Sequence, residues 1–373
     1  MASNSYNFDN ITYQKYNPKT EFHKVELIWK SLLQRIPHSF FLSWGWILAW
    51  LKTLPENISL SLVVGYVDNN AVVAFFAGEN PMVRHRFIYS KVLGINTTAN
   101  PDFDGIYIEH NSLLGDGFGI SEIYSILDGV ALNTWDELKL NGFVLDSAEL
   151  SAIDQNQFNI IIDREEESHF VNLKKIRENN MDYYQFLSSS KRQQIRRSIR
   201  EYEKKGTIKI RIADNVNLAL EMLKNLKELN QKRRIEQGES GAFDIEYFEK
   251  FHEALVKECF NRGEIQLICV YVDEEIIGYI YNFIYNQNVL FYQCGFNYKP
   301  NNVYRPGMVS HYYAIMHNAQ KGYLIYDFLV GAGQYKQSLS MGSQKMYWLR
   351  IQKKRRRFWI ENKLKEIKSR LRR

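Results

Sequence analysis

Asp327, Tyr335 and Lys336 lie in one short stretch, YDFLVGAGQYKQSLS, running from Tyr326 to Ser340. The run YLIYDFLVG predicts a buried strand, and a carboxylate inside it is costly unless it has a partner or a task. Asp327 can serve as a general base, taking a proton from an acceptor directly or through water. It can equally cap its own chain or pair with Lys336. Lys336 can bind an acidic acceptor or phosphate groups. Between them stands Gly331-Ala332-Gly333, with no helix-opening pattern after it. That pattern reads as a bend returning Tyr335 and Lys336 over a cleft, with Tyr326 and Asp327 on its acceptor-side rim.

Two further groups carry charge at useful spacings. Arg305-Pro306-Gly307-Met308-Val309-Ser310 leads into a helix expected from about Val309 to Lys321. Free backbone N–H groups and the dipole at such a helix start favour an anion. Arg305 adds charge and Gly307 lets the backbone approach; the plainer reading is a Pro-Gly turn. Farther upstream, Lys191, Arg192, Arg196, Arg197 and Arg200 recur at helical spacing, with Ile195, Ile199 and Tyr202 as the buried stripe. A basic helix suits a phosphorylated or tRNA-borne ligand, or is simply a solvated face. His311, in VSHYYAIMHNAQ, reads as a packing or surface histidine.

These residues need strands and helices to bring them together, and a repeat shows which. LVVGYVDNNAVVAFF (residues 62–76) and LICVYVDEEIIGYIY (residues 267–281) share one plan: apolar strand, Tyr-Val-Asp, polar turn, apolar strand. Both predict β-hairpins, with Asp68 and Asp273 in corresponding turns. Each hairpin is preceded by an expected helix, FFLSWGWILAWLKTL and DIEYFEKFHEALVKECFNRG, and followed by strands, a helix and a last apolar strand. In the second half EIQLICVYV, EIIGYIYNFIY and VLFYQCGFN give three antiparallel strands before the helix and YLIYDFLVG. The expected architecture is mixed α/β: residues 1–170 and 171–345 form two domains of related plan, and residues 346–373 a basic amphipathic tail.

Composition limits the classes. With 373 residues, 45% hydrophobic and 24% charged, the chain can hold two cores of a globular protein. Cys259, Cys269 and Cys294 have no CxxC spacing and read as reduced core thiols. No HExxH, GxSxG or Walker loop is present, and no metal is expected. The start lacks a signal-peptide layout, and the apolar run Phe40–Leu51 is too short to span a bilayer, so a cytoplasmic protein is expected. The net charge of +6 is concentrated in the tail, where Arg350–Arg373 carries twelve Lys/Arg against Glu361 and Glu366. Ile360, Leu364, Ile367 and Leu371 share one helical face there. The tail can therefore rest on an anionic membrane surface at the inner face, pack on the body, or meet RNA backbone.

SSSKRQQIRRSIREYEKKG, YQCGFN followed by RPGM, and YDFLVGAGQYK together resemble the GNAT acyltransferases. Within that superfamily they are similar to the branch around the cellulose-biosynthesis protein CelD, related to the FemABX aminoacyltransferases. The resemblance is strongest over residues 184–336. It implies tandem GNAT-like domains, with an acyl group moving from acyl-CoA (acetyl-CoA) or another thioester to an amine or hydroxyl. The implied acceptor is a small molecule or glycan precursor, such as an amino sugar of cell-envelope polysaccharide biosynthesis. The resemblance implies free amides at Tyr292, Gln293, Cys294 and Gly295 where two strands splay apart, and a pyrophosphate seat at Arg305, Gly307, Met308 and Val309. It also gives Tyr335 a role in protonating the leaving thiolate or holding the acyl carbonyl, and puts Lys191, Arg192 and Arg196 beside the substrate cleft. The usual GNAT phosphate loop has two glycines where only Gly307 stands here, which leaves room for another carrier. Aminoacyl-tRNA, as in FemABX, is the alternative donor, although no long helical arm is evident. A silent binding or scaffold protein is the third reading.

Overall fold

The computed structural model describes residues 10–371 apart from 85, 86, 133, 179–181 and 332, with side chains omitted for 334 and from 364 onward. In chain order the elements are β1 (Thr12–Tyr16), α1 (Phe22–Leu33), α2 (Trp44–Thr53), β2 (Ser59–Val67), β3 (Asn70–Arg84) and β4 (Ile88–Ile95). Then come α3 (Pro101–Asp104), β5 (Leu114–Gly115), α4 (Ile120–Gly129), β6 (Glu137–Phe143), α5 (Ser147–Ser151), β7 (Phe158–Asn172), α6 (Leu173–Glu178) and α7 (Ser189–Glu203). The series β8 (Ile208–Ile212), α8 (Val216–Gln237), α9 (Glu246–Cys259), β9 (Ile265–Val272), β10 (Glu275–Tyr285) and β11 (Asn288–Phe296) follows. The chain closes with α10 (Pro306–Gln320), β12 (Ile325–Asp327), α11 (Gln334–Leu339), β13 (Gly342–Lys353) and α12 (Arg356–Leu371).

Two compact units emerge. The first comprises Met1–Trp44, Leu54–Glu165 and Met346–Arg373; the second comprises Gly45–Thr53 and Glu166–Lys345. The expected first-half helix FFLSWGWILAWLKTL thus contributes most of α2 to the second unit, and the basic tail belongs with the first.

In the first unit β1, β2, β3 and β4 are antiparallel neighbours, β6 runs parallel to β4, and β13 pairs antiparallel with β6. The β2–β3 turn is built on Asp68 and Asn69, both left-handed, as a two-residue hairpin turn requires. Val63, Phe75, Leu93, Ile123, Ile126, Leu138 and Leu349 form its core. The front of the tail is tied down electrostatically. Arg350 pairs with Glu137 and Asp163, and Arg355 and Arg357 both reach Asp136. Burial raises the proton affinity of Glu137, the Ser90 hydroxyl and then the Arg84 and Arg350 guanidinium groups lower it, and the net effect is to hold its carboxyl below the usual range. Leu364, Ile367 and Leu371, expected on the apolar face of the tail, lie outside the described side chains.

The second unit repeats the plan. β9 and β10 form the predicted hairpin, with Asp273 left-handed in the turn. β11 follows antiparallel, α10 crosses back, and β12 returns parallel to β11. β8 pairs with β9, and the end of β7 pairs with β12. Val270, Ile280, Phe291, Val309, Ile315, Tyr326 and Phe328 meet in its core. Trp46, brought by α2, packs edge-on against Phe251 and Phe283 with ring centroids 4.8 and 6.0 Å apart.

Three local expectations change. α10 begins at Pro306 rather than about Val309, because proline lacks only an N–H that a first-turn residue would leave unpaired anyway. YLIYDFLVG forms just three residues of strand, because Asp327 turns the chain and Leu329 is left-handed, φ 54°. The glycines do precede a helix: Gly333 is the N-cap residue of α11. That helix is only six residues long, and Lys336 in its first turn is folded back into the protein.

Candidate active site

The parallel pairing of β11 and β12 lasts for three residues: Asn288 with Ile325, Val289 with Tyr326, Leu290 with Asp327. β12 then ends while β11 continues to Phe296 against β10, so the two chains part at Asp327. The β10–β11 register slips there. Asn282 faces Phe291 and Tyr281 faces Gln293, which leaves Tyr292 as the extra residue of a bulge. Tyr292, Gln293 and Cys294 therefore lie on the stretch of β11 that β12 does not accompany. Gly295 follows, where α8 crosses closely: a Cβ at this position would stand 2.2 Å from the Leu226 carbonyl oxygen. Asn230 of α8 donates to the Cys294 carbonyl at 2.8 Å.

Rings fill the space where the strands separate. His311, in the second turn of α10, is fully buried, with its ring 4.5 Å from Phe291, 5.2 Å from Phe328 and 5.5 Å from Tyr335, centroid to centroid. Its ring lies near-parallel to that of Tyr335, and its Nδ1 is 3.2 Å from the Tyr326 hydroxyl. Nε2 has no partner. Burial, with the Lys336 charge adding to it, holds this imidazole down to about 3, so it is neutral at physiological pH. Burial likewise raises the Tyr335 phenol well above its ordinary value and the half-buried Cys294 thiol to about 12. Both stay protonated, so Tyr335 keeps its hydroxyl proton and Cys294 is no thiolate nucleophile.

The loop leaving β12 is held at several points. Asp327 Oδ1 accepts from the Ser168 hydroxyl and from the Leu329 amide, the latter at 2.8 Å. Lys336 Nζ donates to the carbonyls of Phe328, Leu329 and Val330 at 2.9, 3.2 and 2.7 Å. Gly331 N donates to Glu166 at 3.1 Å. Asp327 and Lys336 thus sit at opposite ends of one loop, each bonded to its backbone.

One turn before His311 lies the start of α10. No side chain caps it, Arg305 is exposed, and Gly307 packs on Phe296, the last residue of β11. The amides of Gly307 and Met308 precede the first helical hydrogen bond, which Val309 donates to Arg305. α7 stands beside this start, since Ser198 Oγ donates 2.7 Å to the Val303 carbonyl and Tyr202 packs edge-on against Tyr304. Ile195, Ile199 and Tyr202 are buried, so the basic residues occupy the outer face. Arg196 lies 4.8 Å from the Tyr184 ring, which stacks on Tyr312 of α10. Among the described residues, none of Lys191, Arg192, Arg196, Arg197 or Arg200 forms an ion pair.

The structure gathers Tyr292, Gln293, Cys294, Tyr326, Asp327, Tyr335 and Lys336 around the parting strands, and places Arg305, Gly307, Met308 and Val309 at the adjoining helix start. His311 and His252 were not singled out as site residues. His252 of α9 is fully buried, 3.3 Å from the Tyr292 hydroxyl through Nε2 and 3.5 Å from that of Tyr281 through Nδ1. Helical spacing could have found both: His311 shares a face with Ala314, Ile315 and Asn318, and His252 with Phe248 and Leu255. Ser168 and Asn230 carry no sequence signal. Among the described residues no group of His, Cys, Asp and Glu is arranged to hold a metal.

Residues 189–337 match the acetyltransferase (GNAT) domain family. No functionally curated protein matches the sequence. Among solved structures the chain is similar to FemX, at 10% identity and TM-score 0.56, covering 91% of this chain and 96% of that one. It is also similar to L-PGS from Bacillus licheniformis, at 10% identity and TM-score 0.51, over 92% and 94% of the two chains. The C-terminal domain of a putative lysylphosphatidylglycerol synthetase from Agrobacterium fabrum gives 10% identity and TM-score 0.50, over 89% and 92%. At such identities the likeness is one of fold.

Proposed function

We propose, from the match of residues 189–337 to the acetyltransferase (GNAT) domain family, that this chain moves an acyl group from a CoA thioester to an amine or hydroxyl of a sugar, polysaccharide precursor or related metabolite. The observation that carries this reading is the parting of β11 and β12 after three paired residues, next to the uncapped start of α10. The unaccompanied stretch of β11 offers backbone groups to the pantetheine arm, and Gly307 and Met308 offer amides to the pyrophosphate, with Arg305 adding charge.

The donor supplies the activated carbonyl; the protein aligns it and moves protons. As the acceptor nitrogen or oxygen bonds to the carbonyl carbon, the C–S bond breaks, Tyr335 gives its proton to the sulfur, and the proton shed by the acceptor goes to water, which returns one to Tyr335. Burial keeps Tyr335 protonated, as this role requires. Asp327 and Lys336 act as positioning residues, holding the loop that carries Tyr335. The test is release of free thiol from acetyl-CoA in the presence of amino-sugar acceptors. Tyr335→Phe should lower kcat by about 10²-fold or more with little change in Tm. Donor binding without turnover of any acceptor, and indifferent to Tyr335→Phe, would instead support a silent binding protein.

A second reading, aminoacyl transfer from tRNA as in FemABX, is favoured by the basic face of α7 beside α10, which forms no ion pair among the described residues, and by the likeness of fold to FemX. The longest helix of the second unit, α8, packs on β11 and is not a projecting arm. Competition of tRNA with acetyl-CoA for binding would favour this reading.

A further inference from the structure

Half of the large apolar side chains that stand open to solvent, among the described residues, belong to one end of the first unit. Phe87 is 89% exposed, Val83 63% and Tyr89 45%, all at the tip of the β3–β4 hairpin; Trp359 is 65% and Ile360 50% exposed in the first turns of α12. Single exposed apolar residues are ordinary, whereas a cluster of this kind marks an interaction surface.

The two elements are locked together. Arg84, the last residue of β3, bonds to Glu137 and, at 3.0 Å, to Glu361 of α12, and its guanidinium lies 5.5 Å from the Phe358 ring centroid. Phe358 and Glu361, three residues apart on α12, are both buried by this contact. Trp359 and Ile360 consequently point away from the unit. Val83 and Tyr89 are cross-strand partners and share the face of the hairpin opposite Arg84 and Ile88. Apolar groups therefore emerge on both sides of the tip and at its end.

The sequence flanking these two elements is basic. After Glu361 the chain carries six Lys/Arg against the single Glu366, and Phe87 itself follows Arg84-His85-Arg86 in sequence. The carboxylates nearest the tail, Glu137, Asp136 and Asp163, are already committed to Arg84, Arg350, Arg355 and Arg357.

We propose that the β3–β4 tip and the outer face of α12 dock together on an anionic lipid bilayer, with Phe87 and Trp359 entering the interface and the basic tail lying along the headgroups. Aliphatic Val83 and Ile360 gain from hydrocarbon and offer nothing to a nucleic acid, whereas the charge serves either. Among the described residues no helix is long and apolar enough to cross the membrane. This inference stands independently of the acyl-transfer reading.

The test is co-sedimentation of the full chain with phosphatidylcholine vesicles, with and without phosphatidylglycerol. The protein should pellet with the anionic vesicles and be released by high salt, and Phe87→Ser with Trp359→Ser should weaken binding at least about tenfold. Both side chains are exposed, so the melting curve should be unchanged, as should thiol release from soluble substrates. Val83→Asp should act in the same direction. Failure of the wild-type protein to pellet, or pelleting of the double variant as wild type, overturns the proposal. So does tight RNA binding with no vesicle binding.

Discussion

Mild acid should loosen the second unit through its two interior histidines, His252 and His311. Each is fully buried and held down to about 3 by its surroundings, against an ordinary value of 6.5. His252 faces the Tyr281 and Tyr292 hydroxyls, and His311 faces Tyr326, Tyr335 and the Lys336 charge. A depressed histidine is neutral in the fold and takes up its proton on unfolding. Its stabilisation is therefore complete above pH 6.5 and drains away as pH falls toward 3. At pH 5.5 the unfolded imidazole is about ten-elevenths protonated, which removes about 1.4 kcal/mol per histidine relative to alkaline pH. For a unit of this size that is about 3–6 °C in Tm for each group. Thermal melts of wild type and His252→Phe at pH 7.5 and 5.5 isolate one group, because every other titration is common to both proteins. The wild type should lose about 3–6 °C more than the variant between the two pH values. Parallel losses would refute the claim that a neutral, buried His252 is part of the fold.

Two other outcomes follow from the loop after β12, and a third from β11. Lys336→Met deprives three carbonyls of their ammonium donor and should cost about 2–4 kcal/mol, read as a lower denaturant midpoint; an unchanged midpoint would contradict the tether. Asp327→Asn keeps an oxygen for Ser168 and Leu329, so a positioning role predicts less than about a tenfold loss of kcat/KM and an unshifted pH profile. A general base would lose about 10²-fold or more. Gly295→Ala should destabilise by about 1–3 kcal/mol or more, since the new methyl meets backbone rather than a flexible side chain; chemical denaturation measures it.

The duplicated hairpins could be read directly because turn chemistry and alternating apolar residues are local: Asp68 and Asp273 hold the positive φ that their sequences promise. The basic face of α7 was legible for the same reason, since its stripe of Ile195, Ile199 and Tyr202 has helical period. The break in YLIYDFLVG was not. Its apolar residues suit a strand throughout, and only tertiary bonds from Asp327 and Lys336 turn the chain at Leu329. α2 likewise gives no sign in its sequence that Trp46 packs among Phe251, Phe283 and Tyr292 of the other half. The candidate site residues named from the sequence lie at strand ends, near helix starts or on the basic face of α7, in stretches of unusual composition. His252 and His311 are embedded in otherwise ordinary helices.

The most direct test of the central claim is amide hydrogen exchange with and without saturating acetyl-CoA. Donor lying along the parted stretch of β11, with its phosphates at the start of α10, should slow exchange at Tyr292–Gly295 and at Gly307–Val309, leaving the first unit unchanged. No change at either segment under saturating donor, or protection confined to residues elsewhere, would contradict the account.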